Sequence, residues 1–218
     1  MKGEETVYTG GGWRSHSILI VLFLLYMSDY ADRYIVSSMI EFIKRDWQIS
    51  DAQAGSLMSI VLLFITIFTV PASVLIDRWS RRKMVSLMVF LWSVATLACA
   101  FTRSFTQLLI ARACIGIGES GYAPAGTAML AAAYPDDKRA KVMGIWNIAI
   151  PLGVGIGLFA GGQIAKQWGW QHGFGLVALP GMLLAVWAWF LPDYKTVETG
   201  GGTGMGGGEG EGFAARAA

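Results

Sequence analysis

Six apolar runs of about twenty residues divide the chain, at roughly 17–39, 52–76, 84–102, 105–133, 139–165 and 171–191. As helices, each is long enough to cross ~30 Å of hydrocarbon. Only 15% of the residues are charged and the mean hydropathy is +0.50. A soluble domain usually carries about 25% charged residues, so too little polar surface is available to solvate a globule of this size. The expected fold is therefore an all-α membrane bundle of six transmembrane helices.

Polar segments join the runs: "EFIKRDWQISD", "DRWSRRK", "TRSF", "YPDDKRAK" and "KQWGWQHG". The N-terminal "MKGEETVYTGGGWRSHS" is polar and acidic, unlike a cleaved leader, so the first run is expected to remain as a span. The division is a cytoplasmic N-terminal segment at 1–16, a six-helix bundle at 17–192 and a Gly-rich flexible cytoplasmic tail at 193–218. Cys99 and Cys114 both fall inside apolar runs and read as small buried residues, not as a disulfide or a metal pair.

An even number of spans places both termini on one side. If that side is the cytoplasm, inner segments hold Lys2, Arg14, Arg78, Arg81, Arg82, Lys83, Lys138, Arg139, Lys141 and Lys195, against Lys44, Arg45, Arg103 and Lys166 outside. This is a positive-inside bias, and Trp13, Trp47, Trp79, Trp168 and Trp170 sit near span ends as interfacial anchors do. The expected setting is an integral protein of a bacterial inner (plasma) membrane with both termini cytoplasmic.

Charges within the runs carry the functional signal. An ionised group at bilayer depth costs roughly 2.5–3.5 kcal/mol on insertion scales, so such groups pair or face a wet cavity. Span one holds Asp29, Asp32 and Arg33 in "YMSDYADRYIV"; span four holds Arg112 and Glu119 in "LLIARACIGIGESGYAPAG". Seven residues is nearly two helical turns, which puts Arg112 and Glu119 on one face about 10 Å apart, with Gly116, Tyr122, Ala123 and Gly126 on or near it. Asp32 lies about 22 Å along span one and Arg112 about 10 Å down span four, at similar height, so the two are expected to pair. Two readings stay open. The charges either form a bridge that only holds helices one and four together, or line a water-accessible site. There a carboxylate takes and releases a proton and an arginine attracts an anionic group.

At this point the residues resemble a known family. "SVLIDRWSRRK" is similar to the loop signature of the major facilitator superfamily, G-x-L-a-D-R-x-G-R-K, with Asp77, Arg78, Arg81 and Arg82 in the charged positions and Ser73 and Ser80 in place of its two glycines. "ARACIGIGE" resembles the span-four motif. "DYADR", "GIGESGYAPAG" and "NIAIPLGVGIGLFAGG" resemble spinster-type members, with Asp29 where their pattern has Asn; organic-anion symporters share some of these features.

The resemblance implies half of the superfamily fold, the N-terminal six helices of twelve. It implies an alternating-access carrier with its site near the midplane, moving a small organic or amphipathic anion, by symport or antiport. It places Asp32, Arg112 and Glu119 in proton coupling and substrate contact, with Arg33, Asp29 and Tyr122 beside them. It assigns Asp77, Arg78, Arg81 and Arg82 to a cytoplasmic gate. Pro151, Gly153, Gly155 and Gly157 in span five read as a bendable helix packed closely on a partner, with gating and plain packing equally open. The second wall of the cavity is either another copy of the chain, as a parallel homodimer, or a C-terminal six-helix half.

Other classes fit poorly. His16 and His172 are the only histidines, one near each face, which disfavours a histidine metal site or a Ser-His relay. Asp136 and Asp137 read as a helix cap. No GK[ST] follows a strand, so no nucleotide cofactor, nucleic acid or resident metal is expected, and enzyme chemistry is disfavoured. A channel and a non-transporting scaffold remain as competing readings.

Overall fold

The computed structural model describes residues 12–191; the stretches 1–11 and 192–218, with Lys2, Lys195 and the Gly-rich segment, lie outside the described residues, as do the side chains of Asp77 and Arg78. The helices are α1 (Trp13–Trp47), α2 (Asp51–Arg78), α3 (Arg81–Cys99), α4 (Phe105–Glu119), α5 (Tyr122–Ala133), α6 (Asp136–Asn147), α7 (Ala149–Trp168) and α8 (Trp170–Trp189). Six apolar runs thus become eight helices. Span four is α4 followed by α5, and span five is α6 followed by α7.

Proline accounts for both divisions. Pro124 is the third residue of α5 and Pro151 the third of α7. A proline ring has no N–H and excludes the carbonyl four residues back, here that of Ser120 and of Asn147. The linking residues keep near-helical backbone, with Ser120 at φ −58 and ψ −32 and Ile148 at φ −62 and ψ −23. The Ser120 carbonyl accepts instead from the Thr69 hydroxyl of α2 at 3.4 Å, the kind of side-chain repair a broken helix needs in hydrocarbon. Gly169, at φ +91, makes the turn from α7 into α8, a backbone region costly for any other residue.

Span one runs well beyond its apolar stretch because its polar ends stay helical outside the hydrocarbon. Among the described residues, four helical stretches, Asp51–Ile76, Arg81–Cys99, Asp136–Trp168 and Trp170–Trp189, have the length and apolarity to cross a membrane. The charges of α1 lower its hydropathy, and the interruption after Glu119 shortens span four.

α2 begins with a capping box. Ser50 Oγ accepts from the Gln53 N–H at 3.2 Å, and Gln53 Oε1 accepts from the Ser50 N–H at 3.0 Å. Nearby, Lys44 Nζ donates to Asp51 Oδ1 at 2.7 Å and to Glu41 Oε1 at 3.2 Å, closing the α1–α2 hairpin. Ser50→Ala removes one of α2's capped donors and is expected to lower stability by about 1 kcal/mol, read as a fall in melting temperature in detergent.

α1 lies along α7, α3 packs between α4 and α8, and α4 also meets α2. The α1–α7 contact is made by Gly153, Gly157 and Gly161, spaced by four. A Cβ on them would meet the backbone of Met27, the backbone of Ala31, and Ser38 with Ile35, respectively. Small residues at that spacing let two backbones touch, which is how helices associate without a hydrophobic driving force between them. Gly155, on another face, has nothing within 4 Å of an added Cβ.

Candidate functional site

Among the described residues, five charged side chains gather inside the bundle. Asp29 and Asp32 of α1 are each 2% exposed, Arg112 of α4 is 1% and Glu119 at its end is 4%. Arg33 is the wettest, with 20% of its side chain accessible. A spacing of four turns Asp29 and Arg33 to one side of α1, and that side faces Glu119.

Arg33 Nη2 is the hub. It donates to Asp29 Oδ1 at 3.2 Å, to Asp29 Oδ2 at 3.1 Å and to Glu119 Oε2 at 2.8 Å. Its guanidinium also lies 4.9 Å from the centre of the Tyr30 ring, a cation–π contact. One guanidinium nitrogen is therefore shared by two carboxylates from different helices.

Asp32 and Arg112 do not pair with each other, contrary to the expectation from height along the spans. Asp32 Oδ2 accepts from the Thr96 hydroxyl of α3. Arg112 Nε donates to the Leu57 carbonyl of α2. Height fixes where a residue sits along a helix axis but not its angle around it, and Asp32 is turned toward α3. The Arg112 Nη1 and Nη2 groups, Asp32 Oδ1 and Glu119 Oε1 are buried without a hydrogen-bond partner among the described residues. Those groups retain capacity for a ligand or water.

Tyr122 is buried beside the cluster, but its hydroxyl donates to the Leu22 carbonyl, which also accepts from Trp146 Nε1 at 3.1 Å. Tyr122 thus packs α5 onto α1, edge-on to Trp92 with ring centres 5.5 Å apart, and does not reach the carboxylates. At the other end, Arg82 Nη1 donates to the Leu191 carbonyl at 2.9 Å, and Ser80 caps α3 by accepting from the Lys83 N–H at 3.2 Å. A serine in that glycine position of the loop signature therefore gains a capping role. Pro151 lies at the α6–α7 junction, whereas Gly153 and Gly157 are pressed against α1.

Sequence reasoning missed an aromatic run beside Arg33. Tyr26 is edge-on to Tyr30 at 5.2 Å, Tyr30 stacks with Tyr34 at 6.3 Å, and Tyr26 stacks on Trp146 at 4.4 Å. The signal was present as tyrosines spaced by four along α1. Thr96 carried no signal, since a lone threonine in an apolar run looks like any other.

Residues 22–207 match the Major Facilitator Superfamily. The chain belongs to that superfamily. Within it the likeness is to spinster-type proteins. Protein spinster homolog 1 of Xenopus tropicalis is 31% identical over 188 residues, which cover 81% of this chain and 35% of that protein. The sphingosine-1-phosphate transporter SPNS2 of Danio rerio is 34% identical over 146 residues, 65% of this chain and 28% of that one. A solved bacterial homologue of the human lysosomal transporter spinster, inward-facing and occupied, superposes with a TM-score of 0.79 at 27% identity, over 84% of this chain and 45% of that one. The chain thus spans about a third of the length of these curated relatives and corresponds to the N-terminal half of a spinster-type fold. It is an integral membrane protein.

Proposed function

We propose that the six spans form one wall of an alternating-access carrier that moves an acidic amphiphile in exchange with, or together with, protons. The observation that carries this reading is the buried Asp29–Arg33–Glu119 junction, in which one guanidinium nitrogen serves two carboxylates on different helices. Protonating either carboxylate weakens its hold on Arg33, which then rests on the other. The junction ties α1 to α4, so that exchange alters a contact between two spans. A bridge built only to hold helices together has no need of a second carboxylate.

Arg112 is the proposed anion site. Its Nε is spent on Leu57 while Nη1 and Nη2 keep their donors, and a guanidinium fork suits a phosphate or carboxylate. The tyrosines beside Arg33 offer an apolar wall for the rest of an amphiphile. A relative that transports sphingosine-1-phosphate supports a phosphate-bearing amphiphile as the first probe. The second wall is a six-helix half of the same superfamily fold, contributed by another copy or by a C-terminal half. In this orientation both termini face the cytoplasm, and the Asp77, Arg78, Arg81 and Arg82 loop gates that side.

The test is tracer uptake of sphingosine-1-phosphate into proteoliposomes bearing the chain, with and without an imposed pH gradient. Gradient-dependent accumulation supports a carrier formed by copies of this chain; uptake equal to that of protein-free liposomes contradicts the self-paired carrier and leaves a C-terminal half as the second wall. Arg112→Ala is expected to weaken binding of that amphiphile at least tenfold, the loss of one buried charge-assisted contact of about 1.5–3 kcal/mol. Equal affinity in wild type and variant, measured in detergent by tryptophan quenching, removes Arg112 from the site.

A further inference from the structure

The outer face of the α3–α8 pair carries two apolar grooves whose linings share no residue with the charge cluster. The two helices meet closely where Gly181 faces Ser93; a Cβ on Gly181 would run into the Ser93 hydroxyl and lie 3.4 Å from its Cβ. Grooves open on the same side of the pair at both ends of this contact. One, of about 290 Å³, is lined by Ser86, Leu87 and Phe90 of α3 and by Val186, Trp189 and Phe190 at the end of α8. The other, of about 420 Å³, is lined by Leu97 of α3, Phe101 just beyond it, and Gln171 and His172 of α8 among others.

The first groove is built for hydrocarbon. Its polar floor atom is already used, because Ser86 Oγ donates to the Ala185 carbonyl at 2.7 Å. Phe90, Trp189 and Phe190 remain exposed around it. The α3 stripe that lines it continues to a basic residue. Lys83, Leu87 and Phe90 follow the spacing i, i+4, i+7, so an exposed ammonium stands one helical turn beyond the apolar lining on the same stripe of α3. The Arg82 bond to the Leu191 carbonyl fastens the end of α8 to the start of α3, which sets Trp189 and Lys83 at one membrane boundary. Tryptophan and lysine at such a boundary favour headgroup level. The groove at the opposite end has Gln171 and His172 in its lining and no lysine or arginine among its lining residues.

We infer that the α3–α8 groove beside Lys83 binds one acyl chain of an acidic phospholipid, whose phosphate meets the Lys83 ammonium. The lysine supplies the charge match and the adjoining apolar lining takes the chain. The site is independent of the transport reading, since no residue of the charge cluster takes part.

Trp189 reports directly on occupancy. The full chain is reconstituted in vesicles of phosphatidylcholine containing a fraction of brominated phosphatidylglycerol or of brominated phosphatidylcholine. The Trp189 signal is isolated by subtracting the Trp189→Phe variant. The expected result is a preference of about fivefold for the brominated acidic lipid at Trp189, the increment one lysine near a charged surface provides. Lys83→Gln should abolish the preference while quenching by both lipids persists, which shows that the variant is folded and in the bilayer. Equal quenching by the two lipids in the wild type means ordinary boundary lipid and overturns the proposal. Absence of quenching by either lipid means a protein surface covers the groove and also overturns it. A preference that survives Lys83→Gln removes the phosphate from Lys83 and equally overturns it.

Discussion

Glu119→Gln is expected to abolish pH-driven uptake while leaving the bundle folded. Glutamine keeps the shape of the side chain and an oxygen that can accept from Arg33, but it cannot take up or release a proton. Arg33 also keeps both contacts to Asp29, at 3.2 and 3.1 Å, so the guanidinium is not stranded. The structural loss is the difference between a charge-assisted and a neutral hydrogen bond, on the order of 1 kcal/mol. The functional loss is complete, because the competition between two carboxylates for one cation no longer responds to pH at α4. A thermal melt in detergent and gradient-driven tracer uptake on the same preparation separate the two effects. A variant that melts normally and still accumulates substrate in response to the gradient would remove Glu119 from the coupling machinery.

The second large effect is expected at Gly157. Its added Cβ would strike the carbonyl and lie 3.1 Å from the Cα of Ala31, both backbone atoms that cannot swing aside. Gly157→Val must therefore push α7 away from α1, along a contact that also includes Gly153 and Gly161. Overpacking of a well-filled core costs about 1–3 kcal/mol, and more where backbone meets backbone. The expected outcome is loss of monodisperse protein in detergent. Gly155→Ala is the paired control. It lies two residues away with nothing in reach of its Cβ, and alanine favours helix over glycine by roughly 0.5–1 kcal/mol. A slightly raised melting temperature is expected there. If Gly157→Val folded as well as Gly155→Ala, the close α1–α7 seam would be wrong.

The six spans were legible because apolar length is a strong signal and hydrocarbon leaves the backbone little choice. A bend at Pro151 is expected, though not its division of span five into two helices; the break after Glu119 was not read, although Pro124 was visible, because a proline inside an apolar run can be absorbed. Pro71 and Pro180 sit inside α2 and α8, which continue through them. The members of the charge cluster were legible from the cost of burying them. Their pairing was not. Residues 29 and 33 share a face of α1, whereas Asp32 is about 100° away from Arg33 around the helix, and only packing decides which face meets α4. Arg33, not Asp32, therefore makes the contact to span four, and Thr96 takes Asp32.

Coupling itself is the most direct test. A pH-sensitive dye trapped inside proteoliposomes bearing the full chain reports proton movement when sphingosine-1-phosphate is added outside, with no gradient imposed beforehand. The structure and family lead to the expectation of an internal pH change that follows substrate addition, saturates with its concentration and is absent in Glu119→Gln. Substrate entry that leaves the internal pH unchanged would contradict a proton-coupled carrier built on the Asp29–Arg33–Glu119 junction.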